Sequence, residues 1–215
     1  MYKKIIVFEG IDGSGKTFHL NEVAKYLSKK KIKFIKIREP GGTKNSEIIR
    51  NIILNKKSTF RKKTDLLLYL AARNENYENL IKPYLNRKVI LIDRFVDSTI
   101  AYQHYGFKIN KIVIKQLNNF IIGNLKPNFT FFHYVPIKSI KKNISGKKNK
   151  YDGFSKNFYN KVQNGFLNIL KKNKNKLLID SSKNKKYNIE LIKNKLIKIL
   201  NINEWYIFYQ GTIYI

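Results

Sequence analysis

The sequence predicts an α/β protein in which a five-stranded parallel sheet carries helices on both faces. Two observations support this prediction. Short apolar runs alternate with longer amphipathic stretches, and a glycine-rich turn separates the first apolar run from the first amphipathic stretch. Strands that are separated by helices pair in parallel, because each crossover covers one face of the sheet. The length of 215 residues fits one such domain or at most two small ones, and a hydrophobic fraction of 43% supplies a packed core.

The apolar runs define the strands and the amphipathic stretches define the helices. The runs KKIIVFE and KVILID are almost continuously apolar between their ends, which is typical of strands buried on both faces. The predicted strands are Lys3–Glu9, Lys33–Arg38, Lys88–Asp93, Phe129–Val135 and Leu177–Asp180. The predicted helices are Thr17–Lys29, Ser46–Leu54, Thr64–Leu85, Asn110–Ile122, Phe158–Lys171 and Ile189–Leu200.

No internal repeat and no linker divides the chain, so residues 1–203 are predicted to form a single domain. The polar, glycine-punctuated stretch 141–154 (KKNISGKKNKYDGF) differs in composition, and we expect it to be a mobile lid. Residues 204–215 (EWYIFYQGTIYI) form an aromatic tail. The sequence leaves open whether this tail docks onto the domain or is a drifted extension.

The strong positive charge suggests a polyanion-binding protein, but its composition weakens that interpretation. Lys and Arg number 44 against 14 Asp and Glu, which gives a formal net charge of +30. Only six of the 44 basic residues are Arg, whereas surfaces selected for nucleic acid more often use Arg, whose planar fork matches phosphate and guanine. Lys, Asn, Ile, Tyr and Phe are also the residues that A/T-rich codons encode. We therefore predict no specific nucleic-acid partner.

The composition also bears on the compartment and on metal chemistry. The chain has no cysteine, which excludes a disulfide scaffold, a cysteine nucleophile and a thiolate metal site, and suits a reducing compartment. The amino-terminal apolar run is too short for a signal peptide, and no run approaches the ~18 apolar residues of a membrane span. The three histidines show no metal-ligand spacing and are interpreted as structural. We expect a cytoplasmic protein with no membrane partner.

The glycine-rich turn matches the phosphate-loop pattern G-x-x-x-x-G-K-[ST], in the required place between a strand and a helix. Its residues are Gly10, Ile11, Asp12, Gly13, Ser14, Gly15, Lys16 and Thr17. Glycines let successive backbone N–H groups turn towards a phosphate, and the helix amino terminus adds partial positive charge. Lys16 is expected to reach the β- and γ-phosphates, and the Thr17 hydroxyl to ligate Mg²⁺. The motif predicts a protein that binds a nucleoside triphosphate.

The end of the third strand indicates which kind of phosphate-loop protein this is. The chain is short for a helicase. The strand KVILID ends in Asp93 and Arg94, one acid beside one base. Asp93 would hold Mg²⁺ through water, and Arg94 would face a second anion. A donor and an acceptor phosphate at one sheet edge predict a small-molecule phosphotransferase.

Three more residues indicate an acceptor site. Arg38 ends the second strand, so its head is expected at the same carboxyl edge of the sheet. Tyr69 and Arg73 are four residues apart, which places them on one face of a helix. A ring that stacks on a base and a guanidinium that hydrogen-bonds it would form a nucleobase slot. The alternative, with Tyr69 in the core and Arg73 on the surface, stays open at this point.

Four segments, in their order and spacing, resemble the thymidylate kinase (dTMP kinase) family of the bacterial type. They are Phe8–Thr17 (FEGIDGSGKT), Arg38–Gly42 (REPGG), Tyr69–Arg73 (YLAAR), and Asp93-Arg94 followed by Ser98–Gln103 (STIAYQ). Kinases of other nucleoside monophosphates share the phosphate loop, but the second and fourth segments together are much narrower. The resemblance is dense over the first half of the chain and sparse after Val135. It implies the P-loop NTPase fold of the nucleoside monophosphate kinases.

The resemblance implies roles around the acceptor phosphate. Asp12, inside the phosphate loop, would lie near the 3′-hydroxyl of the acceptor and near the metal. Arg38 and Arg94 would bind the phosphate of dTMP. Thr17 and Asp93 would remain the protein groups on the metal side.

The resemblance also implies roles around the nucleoside. Tyr69 stands where the family usually has a phenylalanine that stacks on thymine, and its added hydroxyl should preserve stacking. Arg73 would contact the thymine edge, with Ser98 and Gln103 nearby. Tyr102 would press against the deoxyribose and disfavour a 2′-hydroxyl, although an ordinary packed tyrosine is the alternative.

The second half of the chain departs from the family pattern. No arginine follows Arg94, although many bacterial members without a second basic residue in the phosphate loop carry arginines in the lid. Position 13 is Gly13, so only lysines of the lid can supply the charge. We predict that Lys150, or Lys147 and Lys148, stabilises the transferring phosphoryl group, with slower turnover because lysine lacks the bidentate fork. A merely solvated loop is the alternative. The predicted catalytic residues are Lys16, Asp12, Arg94 and Lys150.

The predicted reaction is the transfer of the γ-phosphoryl group of ATP to dTMP with Mg²⁺, a step of dTTP synthesis. The acceptor phosphate is already an anion, so no general base is needed. Three alternatives stay open: another nucleoside or nucleotide kinase of this fold, a nucleic-acid-stimulated phosphate-loop ATPase, and a degraded, inactive kinase. The resemblance also implies a homodimer through helices near residues 44–85 and 110–122.

Overall fold

Five parallel strands form one sheet in the computed structural model, which describes residues 4–139 and 154–202. The strands are β1 (Ile5–Gly10), β2 (Phe34–Arg38), β3 (Val89–Asp93), β4 (Phe129–Tyr134) and β5 (Lys176–Asp180). Their order across the sheet is β2-β3-β1-β4-β5, and every neighbouring pair is parallel. The α/β class, the five strands and the parallel pairing are therefore confirmed.

Helices connect the strands and cover both faces of the sheet. They are α1 (Lys16–Lys29), α2 (Lys44–Leu54), α3 (Lys62–Asn76), α4 (Val96–Thr99), α5 (Lys111–Ile122), α6 (Lys156–Lys171) and α7 (Lys185–Leu200). Helix α3 continues through a π-helical turn, Tyr77–Ile81, into a last helical segment, Lys82–Tyr84. Side-chain caps begin four helices, α2 at Thr43, α5 at Asn110, α6 at Ser155 and α7 at Asn184.

One helical segment was not predicted from the sequence pattern. Helix α4 runs directly into a π-helical segment, Ile100–Gly106, and its sequence VDST begins with a β-branched residue of low helix propensity. The buried carboxylate of Glu9 accepts hydrogen bonds from the backbone N–H groups of Phe95 (2.8 Å) and Ser98 (3.1 Å) at the start of this segment. A residue from another strand thus supplies the cap that the local sequence lacks.

The central strands β1 and β3 are buried on both faces, and this explains their continuous apolar sequences. In β1, Ile6 and Phe8 pack in the core cluster that contains α1 and α7. Ile5 and Val7 point the other way and pack in the cluster that contains the end of α5. Because the strands are parallel, the carboxyl ends of β1, β2 and β3 meet at one edge, where the predicted site residues begin.

Two stacked histidine rings lie next to the phosphate loop. His133 in β4 is 0% exposed, and the centroid of its ring lies 4.9 Å from that of His19 and 5.9 Å from that of Phe8. His19 Nδ1 lies 3.0 Å from the carbonyl oxygen of Gly15. Burial, and after it the charge of His19 and Lys16, holds the pKa of His133 well below its usual value. His133 is therefore neutral in the folded protein at neutral pH.

Replacing His133 with phenylalanine should make the protein less sensitive to acid. Because its folded-state pKa lies below the unfolded value, the unfolded chain binds the proton first, and stability falls as the pH drops below about 6.5. Between about pH 7.5 and 5.5 this group should cost the wild type about 1 kcal/mol that the variant does not lose. Urea unfolding of both proteins at both pH values measures the difference. An equal loss in the two proteins would contradict the prediction.

Two predicted segments fall outside the described residues. The lid prediction for 141–154, with Lys147, Lys148 and Lys150, lies there except for its last residue, and the tail 204–215 lies there entirely. The single domain over 1–203 accordingly stays a prediction. Within the two described ranges, the helices are too short or too polar to cross a membrane.

Candidate active site

The phosphate loop bridges β1 and α1 and requires glycine at both of its ends. At Gly10 the φ angle is +144°, and an added Cβ would lie 2.4 Å from the carbonyl oxygen of His133. Gly15, with φ of +83°, is the residue directly before α1. Side chains rarely adopt these φ values, so only glycine lets the chain close around the amino terminus of α1. The backbone N–H groups at that terminus form a site for a phosphate anion.

Lys16 is held inside this loop. Its Nζ donates a hydrogen bond to the carbonyl oxygen of Ile11 at 2.9 Å, and the side chain is buried. Burial, and then the positive charge of Arg94, lowers the pKa of Lys16 to about 8. A phosphate anion in the loop would favour the charged ammonium form, because an opposite charge at close range raises the pKa of a lysine.

Thr17 and Asp93 form a pair of oxygen ligands beside Lys16. Thr17 Oγ1 donates to Asp93 Oδ2 at 2.5 Å, which joins the start of α1 to the end of β3. Both residues line a cleft of about 590 Å³ that opens over the phosphate loop. Magnesium prefers hard oxygen ligands, and usually takes one or two protein groups together with water and substrate phosphates. The pair therefore fits a magnesium ion that arrives with a nucleotide.

Arg94 ties the phosphate loop to the next segment of the chain. Its Nη2 lies 2.6 Å from Asp12 Oδ1, its Nη1 donates to the carbonyl oxygen of Gly10 at 2.9 Å, and Tyr102 donates to Asp12 Oδ2 at 3.0 Å. Burial raises the pKa of Asp12, but Arg94 and Lys16 outweigh it and lower the pKa to about 2. Arg94 has φ of +68°, an uncommon backbone conformation for an arginine. Asp12 and Arg94 are thus fully charged and fixed at neutral pH.

Glu9 fixes the segment that follows β3, at Phe95 and Ser98. Besides the two backbone N–H groups described above, its carboxylate accepts a short hydrogen bond from the hydroxyl of Ser98. Burial, and then the nearby carboxylate of Asp97, raises the pKa of Glu9 to about 7. Sequence reasoning assigned no role to Glu9. Its signal was a lone acid at the end of an apolar strand, directly before the phosphate loop.

A second pocket lies on the other side of Arg94 from Lys16. It brings together seven residues that the sequence proposed for the site: Asp12, Tyr69, Arg73, Arg94, Ser98, Tyr102 and Gln103. They come from the phosphate loop, from α3, and from the segment after β3. Sequence reasoning missed the other lining residues, which are Glu39, Pro40, Arg50, Leu54, Phe95 and Thr99.

Arg38 stands apart from this pocket. Its Nη2 lies 2.9 Å from Glu47 Oε2, its side chain is 55% exposed, and it lines the cleft over the phosphate loop instead. The arginine that reaches both cavities from α2 is Arg50, whose Nη1 donates to the carbonyl oxygen of Pro40 at 2.6 Å. Arg38 therefore shares the cleft with Arg94 but does not line the pocket that holds Arg73, and its binding of the dTMP phosphate stays a prediction. The position of Arg38 at the end of β2 predicted that its guanidinium lies at the carboxyl edge of the sheet. It did not predict on which side of the turn at Glu39 the guanidinium lies.

Arg73 lies in the pocket and is 3% exposed, so the alternative of a surface arginine is wrong. Its Nε and Nη2 both donate to Glu39 Oε2, at 2.8 and 2.6 Å. Burial raises the pKa of Glu39, and the guanidinium of Arg73 opposes but does not cancel this rise. Tyr69, one helical turn earlier, lines the same pocket. Helix α3 thus presents a ring and a guanidinium side by side, as the spacing predicted.

These features together define a class of protein. The site has a phosphate loop at the amino terminus of α1, oxygen ligands beside it, and a second cavity that shares Arg94 with the first. These are the parts of a P-loop phosphotransferase, which transfers a phosphoryl group from one bound ligand to another. Residues 8–192 match the family model described as Thymidylate kinase. The chain belongs to the thymidylate kinase family.

Individual relatives agree with the family model over nearly the whole chain. The thymidylate kinase of Ligilactobacillus salivarius is 42% identical over 192 residues, which are 86% of this chain and 92% of the relative. That of Fervidobacterium nodosum is 35% identical over 91% of this chain and 98% of its own length. The crystal structure of thymidylate kinase from Ehrlichia chaffeensis superposes with a TM-score of 0.71 at 35% identity, covering 93% of this chain and 98% of the other. The resemblance drawn from the sequence motifs is confirmed.

Proposed function

We propose that this protein transfers the γ-phosphoryl group of ATP to dTMP, giving ADP and dTDP, in the cytoplasm. One observation carries the proposal: a pocket with a ring, an arginine and an amide at its walls opens across Arg94 from the phosphate loop. Its position suits a flat pyrimidine whose phosphate points at Arg94. The absence of cysteine suits a reducing compartment.

The residues around the two cavities divide the work of transfer. The backbone N–H groups of the loop and Lys16 hold the β- and γ-phosphates, while Arg94, which lines both cavities, draws the acceptor phosphate towards them. Asp12 keeps Arg94 in place and charged. Magnesium, held by Thr17 and Asp93, would offset the charge on the donor phosphates. The acceptor is already an anion, so these residues act by position and charge rather than by proton transfer.

The nucleoside wall suits thymine in particular. Tyr69 supplies a ring for stacking, and Arg73 supplies N–H donors for the O4 atom of thymine. Gln103 is 1% exposed, and no donor reaches its Oε1 within the described part of the chain. A ring N–H of the base would satisfy this buried oxygen, since an unpaired buried acceptor is costly. Tyr102 and Ser98 complete the wall beside the sugar.

A coupled assay of ADP release with a panel of acceptors tests the proposal. With ATP and Mg²⁺, dTMP should give the highest kcat/KM, dUMP a lower value, and dCMP and thymidine little turnover. The same assay at low and high salt, with and without added DNA or RNA, tests the alternative ATPase. Equal turnover of thymidine, or ATP hydrolysis that needs nucleic acid and no monophosphate, would overturn the proposal.

We also propose that the lid lysines stabilise the transferring phosphoryl group. Lys147, Lys148 and Lys150 lie outside the described residues, and no arginine follows Arg94 in the sequence to take their place. Replacing all three with alanine should lower kcat about tenfold or more, because each removes a positive charge from the transition state. Single-turnover kinetics with saturating dTMP measure the effect. An unchanged kcat would contradict the proposal and favour a merely solvated loop.

We propose a homodimer through α2, α3 and α5, as the family resemblance implied. Helix α3 packs against both α2 and α5, so the three helices form one continuous side of the protein. Exposed apolar side chains occur on all three helices, namely Ile48, Ile52, Leu67, Ile112, Val113 and Phe120. Exposed apolar residues on neighbouring helices support a protein contact there.

A charge at Phe120 should separate the two copies. Its ring is 89% exposed in the single chain, so Phe120→Glu should leave the fold intact and disfavour burial at an interface. Sedimentation should show a dimer for the wild type and a monomer for the variant. The control is Tyr187→Glu on α7, an exposed aromatic residue on another helix, which should remain dimeric. A monomeric wild type would contradict the proposal.

A further inference from the structure

The head of Arg73 is enclosed on three sides by residues from three different elements. Glu39, in the turn after β2, accepts from Nε and Nη2. Asn118, on α5, accepts a short hydrogen bond from Nη1 through its Oδ1. The ring of Phe95, in the turn after β3, lies 5.1 Å from the guanidinium carbon. These contacts leave the plane of the guanidinium little freedom to rotate.

The orientation of Asn118 is itself fixed. Its Nδ2 donates to the carbonyl oxygen of Ile114, one turn earlier in α5, at 2.7 Å. The oxygen of the amide is therefore the atom that faces Arg73. Asn118 is 3% exposed, whereas the next residue, Asn119, is exposed. An amide that is buried and hydrogen-bonded at both its oxygen and its nitrogen in this way acts as a rigid acceptor.

The contacts use three of the five N–H groups of Arg73 and leave one on each terminal nitrogen. Arg73 lines the acceptor pocket beside Tyr69, so these remaining donors are the ones available to a base that stacks on the ring. At position 4, thymine presents an oxygen acceptor, whereas cytosine presents an amino donor. A fixed donor on Arg73 stabilises bound thymine by a hydrogen bond. It disfavours cytosine, because two donors that face each other leave a buried N–H group unpaired.

We propose that Asn118 is a positioning residue that, together with Glu39, aims Arg73 at the base and sets the preference for thymine over cytosine. This inference rests on the proposed function, since it assumes a pyrimidine in the acceptor pocket. Asn118 lines neither the acceptor pocket nor the cleft over the phosphate loop. It acts through Arg73, by keeping one end of the guanidinium fixed while Glu39 keeps the other.

The test compares kcat/KM for dTMP with kcat/KM for dCMP. Asn118→Leu, which is similar in size and lacks the acceptor oxygen, should lower the dTMP:dCMP ratio about tenfold. KM for ATP should not change, because Asn118 does not line the cleft over the phosphate loop. The matched control is Asn119→Leu, the same change at the neighbouring exposed position, which should keep the wild-type ratio. If Asn118→Leu does not fold, Asn118→Ala, which adds no bulk, provides the same comparison.

A double-mutant cycle separates positioning from general damage. In an Arg73→Met background the ratio should already be low, and Asn118→Leu should lower it no further. An unchanged ratio in the single variant, or an equal further fall in the Arg73→Met background, would overturn the inference. Failure of the wild type to phosphorylate dTMP would instead overturn the proposed function, and this is measured first.

Discussion

Replacing Arg94 with methionine is expected to lower kcat/KM for dTMP about 10³-fold. The guanidinium lines both cavities and is fixed by Gly10 and Asp12, so its charge is expected to act on both the donor and the acceptor phosphates. Its removal also takes away the cation paired with Asp12 and leaves the carboxylate with its hydrogen bond from Tyr102, and a carboxylate without that cation repels a phosphate. Steady-state kinetics with dTMP varied at saturating ATP measure the loss. A change of less than tenfold would contradict the assigned role.

The control for this change is Arg87→Met. Arg87 is exposed before β3 and lines neither cavity, so its loss removes an equal charge without touching the site. This variant should keep wild-type kinetics.

Arg94→Met should also lower Tm at neutral pH. The pKa of Asp12, about 2, lies below its unfolded value, so the charged form stabilises the fold above about pH 4 and this stability disappears as the pH falls through about 2. Without Arg94, burial destabilises the charged carboxylate of Asp12, so the free energy of unfolding should be lower at neutral pH as well.

Lys16→Met is expected to lower kcat by about 10²–10³. Methionine keeps the length of the side chain and removes the ammonium group, which the loop holds through the carbonyl oxygen of Ile11. Because burial already lowers the pKa of Lys16, removal of its charge should not destabilise the free protein. The effect should therefore fall on turnover, measured with both substrates saturating, and leave Tm near the wild-type value.

Lys25→Met is the matched control for this second change. Lys25 lies on the same helix with its side chain 75% exposed, and its ion pair with Glu22 is of the surface kind that contributes little. Wild-type turnover is expected. A kcat for Lys16→Met within about tenfold of the control would mean that the loop N–H groups and Arg94 carry the donor phosphates without the lysine.

Much of the fold was readable from local pattern. Each strand is a short apolar run. In β1 and β3, burial on both faces confines polar residues to the carboxyl ends, at Glu9 and Asp93, so these two runs are distinct in the sequence. The segment after β3 was not readable in this way. Its cap comes from Glu9, which is 86 residues earlier than Phe95 in the chain. No local periodicity can report a hydrogen bond across that separation.

The site divides along the same line. The phosphate loop is contiguous, because its chemistry needs adjacent backbone N–H groups and a lysine at the head of one helix. The Tyr69–Arg73 spacing is likewise a local property of α3. The acceptor pocket, in contrast, closes where several elements meet, and Arg50 and Glu39 enter it from α2 and from the turn after β2. Both Arg38 and Arg50 line the cleft over the phosphate loop, and only the packing of α2 brings Arg50 to the acceptor pocket as well.

The order of residues along the chain was therefore enough to establish an α/β phosphotransferase of the thymidylate kinase family, because phosphate binding and strand burial leave short, contiguous signatures. What the folded protein decided is which way each buried charge faces. Arg73 pairs with Glu39 and Asn118, and Arg94 with Asp12. Such orientations depend on partners that are distant in sequence and are brought together by the sheet. A buried charge must be paired to offset its desolvation, so its orientation is determined by the partners within hydrogen-bond distance.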